Sequence, residues 1–179
     1  MEKLPRPRLG ISACLLGQAV RYDGGHKRDP CCVDLLGPLV DWVAVCPEVE
    51  VGMPVPRPPI RLTGRSEAPA LVAEPTGEDW TARMAAFAAQ RVEELLRVGL
   101  DGYVTKKDSP SCGLSGVPVH QLEGGPPRRD GVGAFVAVLR ARWPLLPVEE
   151  EERLHDPILR ERFVERIIAH ARSAGRGAR

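Results

Sequence analysis

The stretch Cys46-Pro47-Glu48-Val49-Glu50-Val51-Gly52-Met53-Pro54, continued by Arg57-Pro58-Pro59-Ile60, decides how the rest of the chain is interpreted. It follows the apolar run Trp42-Val43-Ala44-Val45, which is typical of a short buried strand. Prolines then stiffen the segment, since each fixes φ and removes a backbone donor. We expect neither a helix nor a central strand, but a rigid segment that holds Cys46 and Glu48 at the mouth of a site. The alternative is a proline-rich surface loop with a buried cysteine.

Length and composition predict one globular domain over residues 1–179. The chain is 43% hydrophobic with a net charge of +1, so a nucleic-acid partner is not expected. No apolar run approaches the roughly 18 residues of a membrane helix, and the first eight residues lack the apolar core of a signal peptide. We therefore expect a cytoplasmic protein with no membrane partner. Five cysteines, an odd number, favour metal ligation or catalysis over a disulfide framework.

Alternating strand and helix patterns predict an α/β protein with a mostly parallel sheet and helices on both faces. Strands are predicted at residues 8–13, 41–45, 100–105 and 145–148, and helices at residues 31–39, 80–97, 132–142 and 156–171. Residues 60–63 and 70–72 predict a small hairpin insertion, and the glycine-rich segment 113–131 is interpreted as a loop. We expect the core of the domain at about 8–154, followed by a C-terminal helix.

Three cysteines follow predicted strands directly or within one loop: Cys14, Cys46 and Cys112. The carboxyl ends of parallel strands share one edge of a sheet, so these thiols should meet there. Three thiolates suit zinc, or an iron–sulfur cluster with one open iron, and the cluster is the better fit because Cys-x-x-Cys pairs are absent. Unligated core cysteines are the alternative. The adjacent Cys31 and Cys32 point in different directions on a helix, so we interpret them as small core or surface residues.

Polar residues surround Cys112 in the segment Lys106-Lys107-Asp108-Ser109-Pro110-Ser111-Cys112-Gly113. Lys106 supplies a cation at the end of a strand, and Ser109 and Ser111 flank a proline that fixes the turn. Singly, the serines are ordinary turn formers and the lysine an ordinary surface charge. Together with Glu48 they provide a base, a proton donor and hydroxyl contacts around one metal site.

Several motifs jointly resemble one bacterial family, the thiouracil desulfidases of the TudS type. They are Ser12-Ala13-Cys14-Leu15-Leu16-Gly17, Arg21-Tyr22-Asp23-Gly24, Cys46-Pro47-Glu48, Gly52-Met53-Pro54 through Arg57-Pro58-Pro59, and the segment around Cys112. The resemblance covers the chain from about Arg8 to Leu154. It implies a Rossmann-like fold, a 4Fe-4S cluster held by Cys14, Cys46 and Cys112, and non-redox removal of sulfur from a thiolated pyrimidine.

The chemistry of replacing a thiocarbonyl sulfur by the oxygen of water suggests roles for the neighbouring side chains. Glu48 is expected to activate water, with Lys106 and Ser109 as further catalytic groups. Ser111 and the pair Arg21 and Tyr22 are expected to contact the pyrimidine. Two other functions fit the same cysteines: an iron–sulfur or sulfide carrier without turnover, and a zinc hydrolase.

Overall fold

The computed structural model describes residues 6–175, and within them the chain forms two four-stranded sheets and four α-helices. The strands are β1 Arg8–Ser12, β2 Asp41–Val45, β3 Ile60–Arg65, β4 Ala68–Ala73, β5 Gly102–Thr105, β6 Val117–His120, β7 Arg128–Gly131 and β8 Val148–Glu150. The helices are α1 Pro47–Glu50, α2 Thr81–Val98, α3 Ala134–Arg142 and α4 Pro157–Ser173. Short 3-10 helices cover Ala13–Leu16, Gly37–Leu39 and Glu151–His155, and a π-helical turn covers Cys31–Leu36.

The first sheet has the strand order β2-β1-β5-β8, and every neighbouring pair is parallel. Its strands contribute side chains to two cores, one on each face. The core that contains Tyr103 packs against α2 and α3, and the core that contains Ile11 and Val104 packs against α4. On β1, position 10 requires glycine, because a Cβ there would lie 2.2 Å from Cδ2 of Tyr103 on the neighbouring β5. The predicted α/β fold class, with a mostly parallel sheet flanked by helices, is confirmed.

The predicted hairpin belongs to a larger second sheet with the strand order β4-β3-β6-β7. β3 and β4 pair antiparallel as expected, and β6 then joins β3 in parallel. The interpretation of residues 113–131 as a loop is therefore wrong, since the segment contains β6 and β7. Only Val117 and Val119 mark β6 as a buried strand, and β7 is exposed over its first three residues.

The long helices follow the signals in the sequence. α2 buries Met84, Ala88, Val92 and Leu95 at helical spacing, and Gly99 ends it in a left-handed conformation with φ of 75°. Asp156 caps the start of α4, because its Oδ1 accepts hydrogen bonds from the amides of Ile158 and Leu159. Among residues 6–175, none of the helices combines the length and apolar character needed to cross a membrane.

Three local predictions differ from the structure. The segment after Cys46 is not free of helix, because Pro47 occupies the first position of α1, where its missing amide costs no hydrogen bond. Residues 31–39 form a π-helical turn followed by a 3-10 turn rather than one regular helix. The strand expected at 145–148 begins only at Val148 and continues to Glu150.

Candidate active site

A cleft of about 340 Å³ opens at the carboxyl ends of β1, β2 and β5. Nine side chains named from the sequence line it: Cys14, Arg21, Tyr22, Cys46, Glu48, Lys106, Ser109, Ser111 and Cys112. The parallel order of the first sheet causes this convergence, since the segments that follow its strands emerge at the same edge.

Each thiol comes from a different segment. Cys14 lies in the 3-10 turn after β1, and Cys46 lies between β2 and α1. Cys112 lies in the loop after β5, where its amide donates to Ser109 Oγ at 3.0 Å. The structure therefore places along one cleft three cysteines whose positions in the sequence span almost a hundred residues.

The turn that carries Cys112 sits directly on the start of α3. Three amides donate to its carbonyls: Gly133 N to Gly113 O at 2.8 Å, Ala134 N to Pro110 O at 2.9 Å and Phe135 N to Ser111 O at 3.0 Å. Gly133 permits the contact, because a Cβ there would lie 2.7 Å from the amide nitrogen of Cys112. The cysteine is thus held by the rigid core rather than by a mobile loop.

Burial suppresses ionisation of these thiols. It raises the pKa of Cys14 to about 11 and the pKa of Cys112 to about 12. Burial also raises the pKa of Cys46, and a thiolate at Cys46 would repel one at Cys14. A cationic metal centre would offset both effects, because it favours the thiolate over the thiol. Three soft sulfur donors around one cleft are a suitable ligand set for iron.

Glu48 is fixed by two partners on opposite sides. Its Oε2 accepts from Arg57 at 2.9 Å from Nε and 2.6 Å from the terminal nitrogen, and its Oε1 accepts from Ser111 Oγ at 2.6 Å. Ser111 Oγ lies 3.1 Å from Ser109 Oγ, so a hydrogen-bonded row of side chains runs from Arg57 to Ser109. The carboxylate is directed by protein contacts and not by bulk water.

Lys106 and Glu151 form a second charged pair at the cleft. Lys106 Nζ donates to Glu151 Oε1 at 2.6 Å and to the carbonyl of Lys107 at 3.0 Å. The other oxygen of Glu151 accepts from the amide of Lys107 at 2.7 Å. The ion pair therefore holds the start of the loop that carries Cys112.

Arg21 and Tyr22 lie at the mouth of the cleft. Tyr22 is 41% exposed, and the Arg21 guanidinium lies 5.4 Å from the centre of its ring. The carbonyl of Tyr22 accepts from the amide of Arg57 at 2.8 Å, which anchors this loop to the proline-rich segment. Both side chains stand where an entering ligand would meet them.

Cys31 and Cys32 lie outside the cleft, buried in the core that contains Ile11 and Val104. Cys31 Sγ donates to the carbonyl of Leu154 at 3.2 Å. Their interpretation as small core residues, one of the two options that the sequence allowed, is the one that the structure supports.

Sequence reasoning assigned no role to Arg57 or Glu151. Glu151 directly follows β8, so the rule that located the cysteines at strand ends could have found it. Arg57 carried a weaker signal, as the only cation inside the proline-rich stretch between Cys46 and Ile60. Neither ion pair was predicted, because the sequence does not show how the chain folds back to bring Arg57 onto Glu48 or Glu151 onto Lys106.

Fold and cleft define an α/β protein with a three-cysteine site at the carboxyl edge of a parallel sheet. The family follows from sequence: a family model described as 2-thiouracil desulfurase matches residues 9–151, so the chain belongs to the 2-thiouracil desulfurase family. The resemblance seen in the motifs is thereby confirmed.

Two known proteins are similar over much of the chain. The uncharacterized protein YbbK of Bacillus subtilis (strain 168) is 30% identical over 111 residues, which are 58% of this chain and 71% of YbbK. A solved structure of the [4Fe-4S]-dependent thiouracil desulfidase TudS is 35% identical, with a TM-score of 0.69. The similarity covers 89% of this chain and 99% of the TudS chain.

Proposed function

We propose that this protein is a non-redox desulfidase that converts a thiouracil-type pyrimidine and water into the corresponding uracil and sulfide. The observation that carries the proposal is a cleft lined by three thiols and by a carboxylate that protein contacts hold in place, in a chain of the 2-thiouracil desulfurase family. Atoms balance, since the C=S bond is replaced by C=O and sulfur leaves as hydrogen sulfide. No electron donor or acceptor is needed.

The cofactor that we propose is a 4Fe-4S cluster held by Cys14, Cys46 and Cys112. Three thiolates leave one iron without a protein ligand, and the similar protein TudS is described as [4Fe-4S]-dependent. When bound, such a cluster supplies an iron position to which the soft sulfur of a thiocarbonyl can bind.

Glu48 is the base in this proposal. The carboxylate takes a proton from a water molecule, whose oxygen then bonds to the carbon that carries sulfur. Its contacts support the role, because Arg57 and Ser111 hold the carboxylate in one orientation and a carboxylate offers about four lone-pair sites for three such bonds. A fourth site is then available for the water.

Protons also have to reach the departing sulfur. Ser109 and Ser111 connect Glu48 to the Cys112 turn through hydroxyl groups at 2.6 and 3.1 Å, which supports a route for the proton that Glu48 has taken. Lys106 is the second candidate donor, with one of its three N–H bonds free of the contacts to Glu151 and Lys107. Arg21 and Tyr22 contact the pyrimidine ring in this proposal.

Two other functions predict different measurements. A zinc hydrolase would hold one zinc ion on the same three thiolates, with Zn–S distances of about 2.3 Å. An iron–sulfur or sulfide carrier would keep its cluster and release no sulfide from a thiolated pyrimidine.

The test is anaerobic reconstitution followed by an assay of sulfide release from thiouracil and related thiolated bases. We expect about four irons and four sulfides per chain, as the cluster type requires, and catalytic release of sulfide together with uracil. Zinc in place of iron would support the hydrolase, and a stable cluster without turnover would support the carrier.

A further inference from the structure

Arg57 is a cation that the chain has buried beside the cleft. Its side chain is 4% exposed, whereas Arg61, four residues later on β3, is 44% exposed and pairs with Glu74 on the surface. A guanidinium is withdrawn from water at a large cost unless its donors are satisfied. The hydrogen bonds of Arg57 must therefore offset the cost of burying its charge.

The contacts of Arg57 join three separate segments. Two of its nitrogens donate to Glu48 Oε2, and the terminal nitrogen of that pair also donates to the carbonyl of Val20 at 2.8 Å. The other terminal nitrogen donates to the carbonyl of Pro54 at 3.2 Å. Its own amide donates to Tyr22 at 2.8 Å. One side chain and its amide thus tie the mouth of the cleft to the carboxylate inside it.

This geometry decides which oxygen of Glu48 can act. Arg57 occupies Oε2 with two bonds, and Ser111 occupies one site of Oε1. The remaining lone pair lies on Oε1, the oxygen that faces Ser111. A rotation of the carboxyl group would break both bonds to Arg57, so the orientation is set by the guanidinium.

We propose that Arg57 is the positioning residue of this site, which fixes the orientation of Glu48 and holds the Val20–Tyr22 loop against it. The inference rests on the proposed function for its kinetic part, since Glu48 is the base only there. Arg57 acts through Glu48 and through the loop, without touching the reacting atoms.

A double-mutant cycle tests the kinetic part. Arg57→Ala, Glu48→Gln and the double variant are compared on reconstituted protein, with kcat expressed per bound cluster. We expect Arg57→Ala to lower kcat by about 10- to 100-fold, the cost of misplacing a reacting group by about an ångström. In the Glu48→Gln background the same substitution should change kcat less than about threefold, because residues that act as a unit are not additive. If the losses in kcat of the two single variants multiplied in the double variant, the two residues would act independently and the inference would be overturned.

Two further variants serve as a control and as a conservative replacement in this test. Arg61→Ala is the matched control, an exposed arginine on the neighbouring strand, and should leave kcat and KM unchanged. Arg57→Lys keeps the charge but loses the two-pronged contact to Glu48, and is used in the cycle if Arg57→Ala does not fold or loads no cluster. We expect it to lower kcat with little change in KM, and a normal kcat would overturn the inference.

Hydrogen exchange tests the loop without any turnover. The amides of Arg21 and Gly24 are bonded within the loop at 3.1 and 3.0 Å. We expect them to exchange about tenfold faster in Arg57→Lys or Arg57→Ala, because the loop loses its anchor on Val20, and not in Arg61→Ala. Unchanged exchange would overturn the inference. If the wild-type protein releases no sulfide, the proposed function fails, and the exchange result alone decides the role of Arg57.

Discussion

The cysteines of the cleft and those of the core lie in different surroundings, although one cysteine of each group is equally buried. Cys112, one of the cleft thiols with Cys14 and Cys46, and Cys31, one of the core thiols with Cys32, are each 6% exposed. Burial raises the pKa of both. Neither burial nor a high thiol pKa therefore distinguishes a candidate ligand from a core residue.

The surroundings distinguish them. The cleft thiols follow parallel strands and face a cavity lined by charged and hydroxyl side chains. The core thiols pack among aliphatic residues behind the sheet. A cysteine can bind a metal centre only if its sulfur faces an open space. The sheet topology determines which cysteines face such a space, and the residue type alone does not.

The largest expected effect separates the two groups directly. Replacing Cys14, Cys46 or Cys112 by Ala should abolish binding of the cluster, since each substitution removes one of the three ligands that we propose. Cys31→Ala and Cys32→Ala should bind iron and sulfide as the wild type does, because their sulfur atoms face the core. Iron and acid-labile sulfide analyses with visible absorption provide the measurement. A cluster that survives Cys46→Ala but not Cys32→Ala would contradict the comparison.

A second prediction distinguishes a catalytic role of Glu48 from a structural one. Glu48→Gln keeps the shape and most hydrogen bonds but removes the base, so kcat per cluster should fall by about 100-fold or more. The cluster should still form, and thiouracil should still perturb its spectrum.

Glu50→Gln is the matched control, two residues further along α1. Glu50 Oε1 accepts from the amide of Cys46 at 2.9 Å, a bond that an amide oxygen can also accept. Glu50 Oε2 lies 2.8 Å from Arg91 Nε, and Gln loses only this partly exposed ion pair. Its kcat should stay within about threefold of the wild type, the scatter expected when a hydrogen bond is conserved. Equal losses in Glu48→Gln and Glu50→Gln would assign Glu48 a structural role only.

The third prediction concerns the ion pair between Lys106 and Glu151. If Lys106 delivers a proton, Lys106→Met should lower kcat per cluster by about 10- to 100-fold. Glu151→Gln should have a smaller effect, because Lys106 keeps its charge and a neutral acceptor. Steady-state sulfide release at saturating substrate measures both. Equal stability losses with normal kcat would show that the pair only supports the loop.

The two groups also differ in how far the sequence predicted them. The cleft thiols and Glu48 were predicted because strand ends can be read locally and topology then brings them together. α2 and α4 were predicted for a similar reason, since helical periodicity and the cap at Asp156 are local signals. Such features require only the residues around them.

What the sequence did not reveal depends on contacts that only the folded backbone creates. β6 has only four residues and becomes a strand by pairing with β3, far away in the chain. The contacts of Glu48 with Arg57, and of Lys106 with Glu151, need the folded backbone to bring charges together. The residues that line a cleft are therefore easier to predict than the contacts that orient their side chains.

The smallest expected effect lies beside the core thiols, at Asp29. Asp29 Oδ1 accepts from the amide of Cys32 at 2.8 Å, and Oδ2 lies 2.6 Å from His155 Nε2. Burial, the largest single influence, raises the pKa of Asp29, but the hydrogen bonds from Cys32 and His155 together bring it below the ordinary value. The carboxylate therefore joins the π-helical turn to the segment before α4.

A depressed pKa means that Asp29 stabilises the fold at pH values above its unfolded pKa, about 3.9. This contribution is lost as the pH falls through the lower pKa of the folded state. Asp29→Asn should thus reduce the free energy of unfolding by about 1.5–3 kcal/mol at pH 7, the range for hydrogen bonds to a charged group. The difference in unfolding free energy between this variant and the wild type should become smaller below pH about 3.9. Urea unfolding of cluster-free protein at both pH values measures it, and cluster binding at pH 7 should be unchanged. If this difference in unfolding free energy stayed constant with pH, the charge of the carboxylate would not be what holds these segments together. The shape of the side chain would then be the reason for its burial.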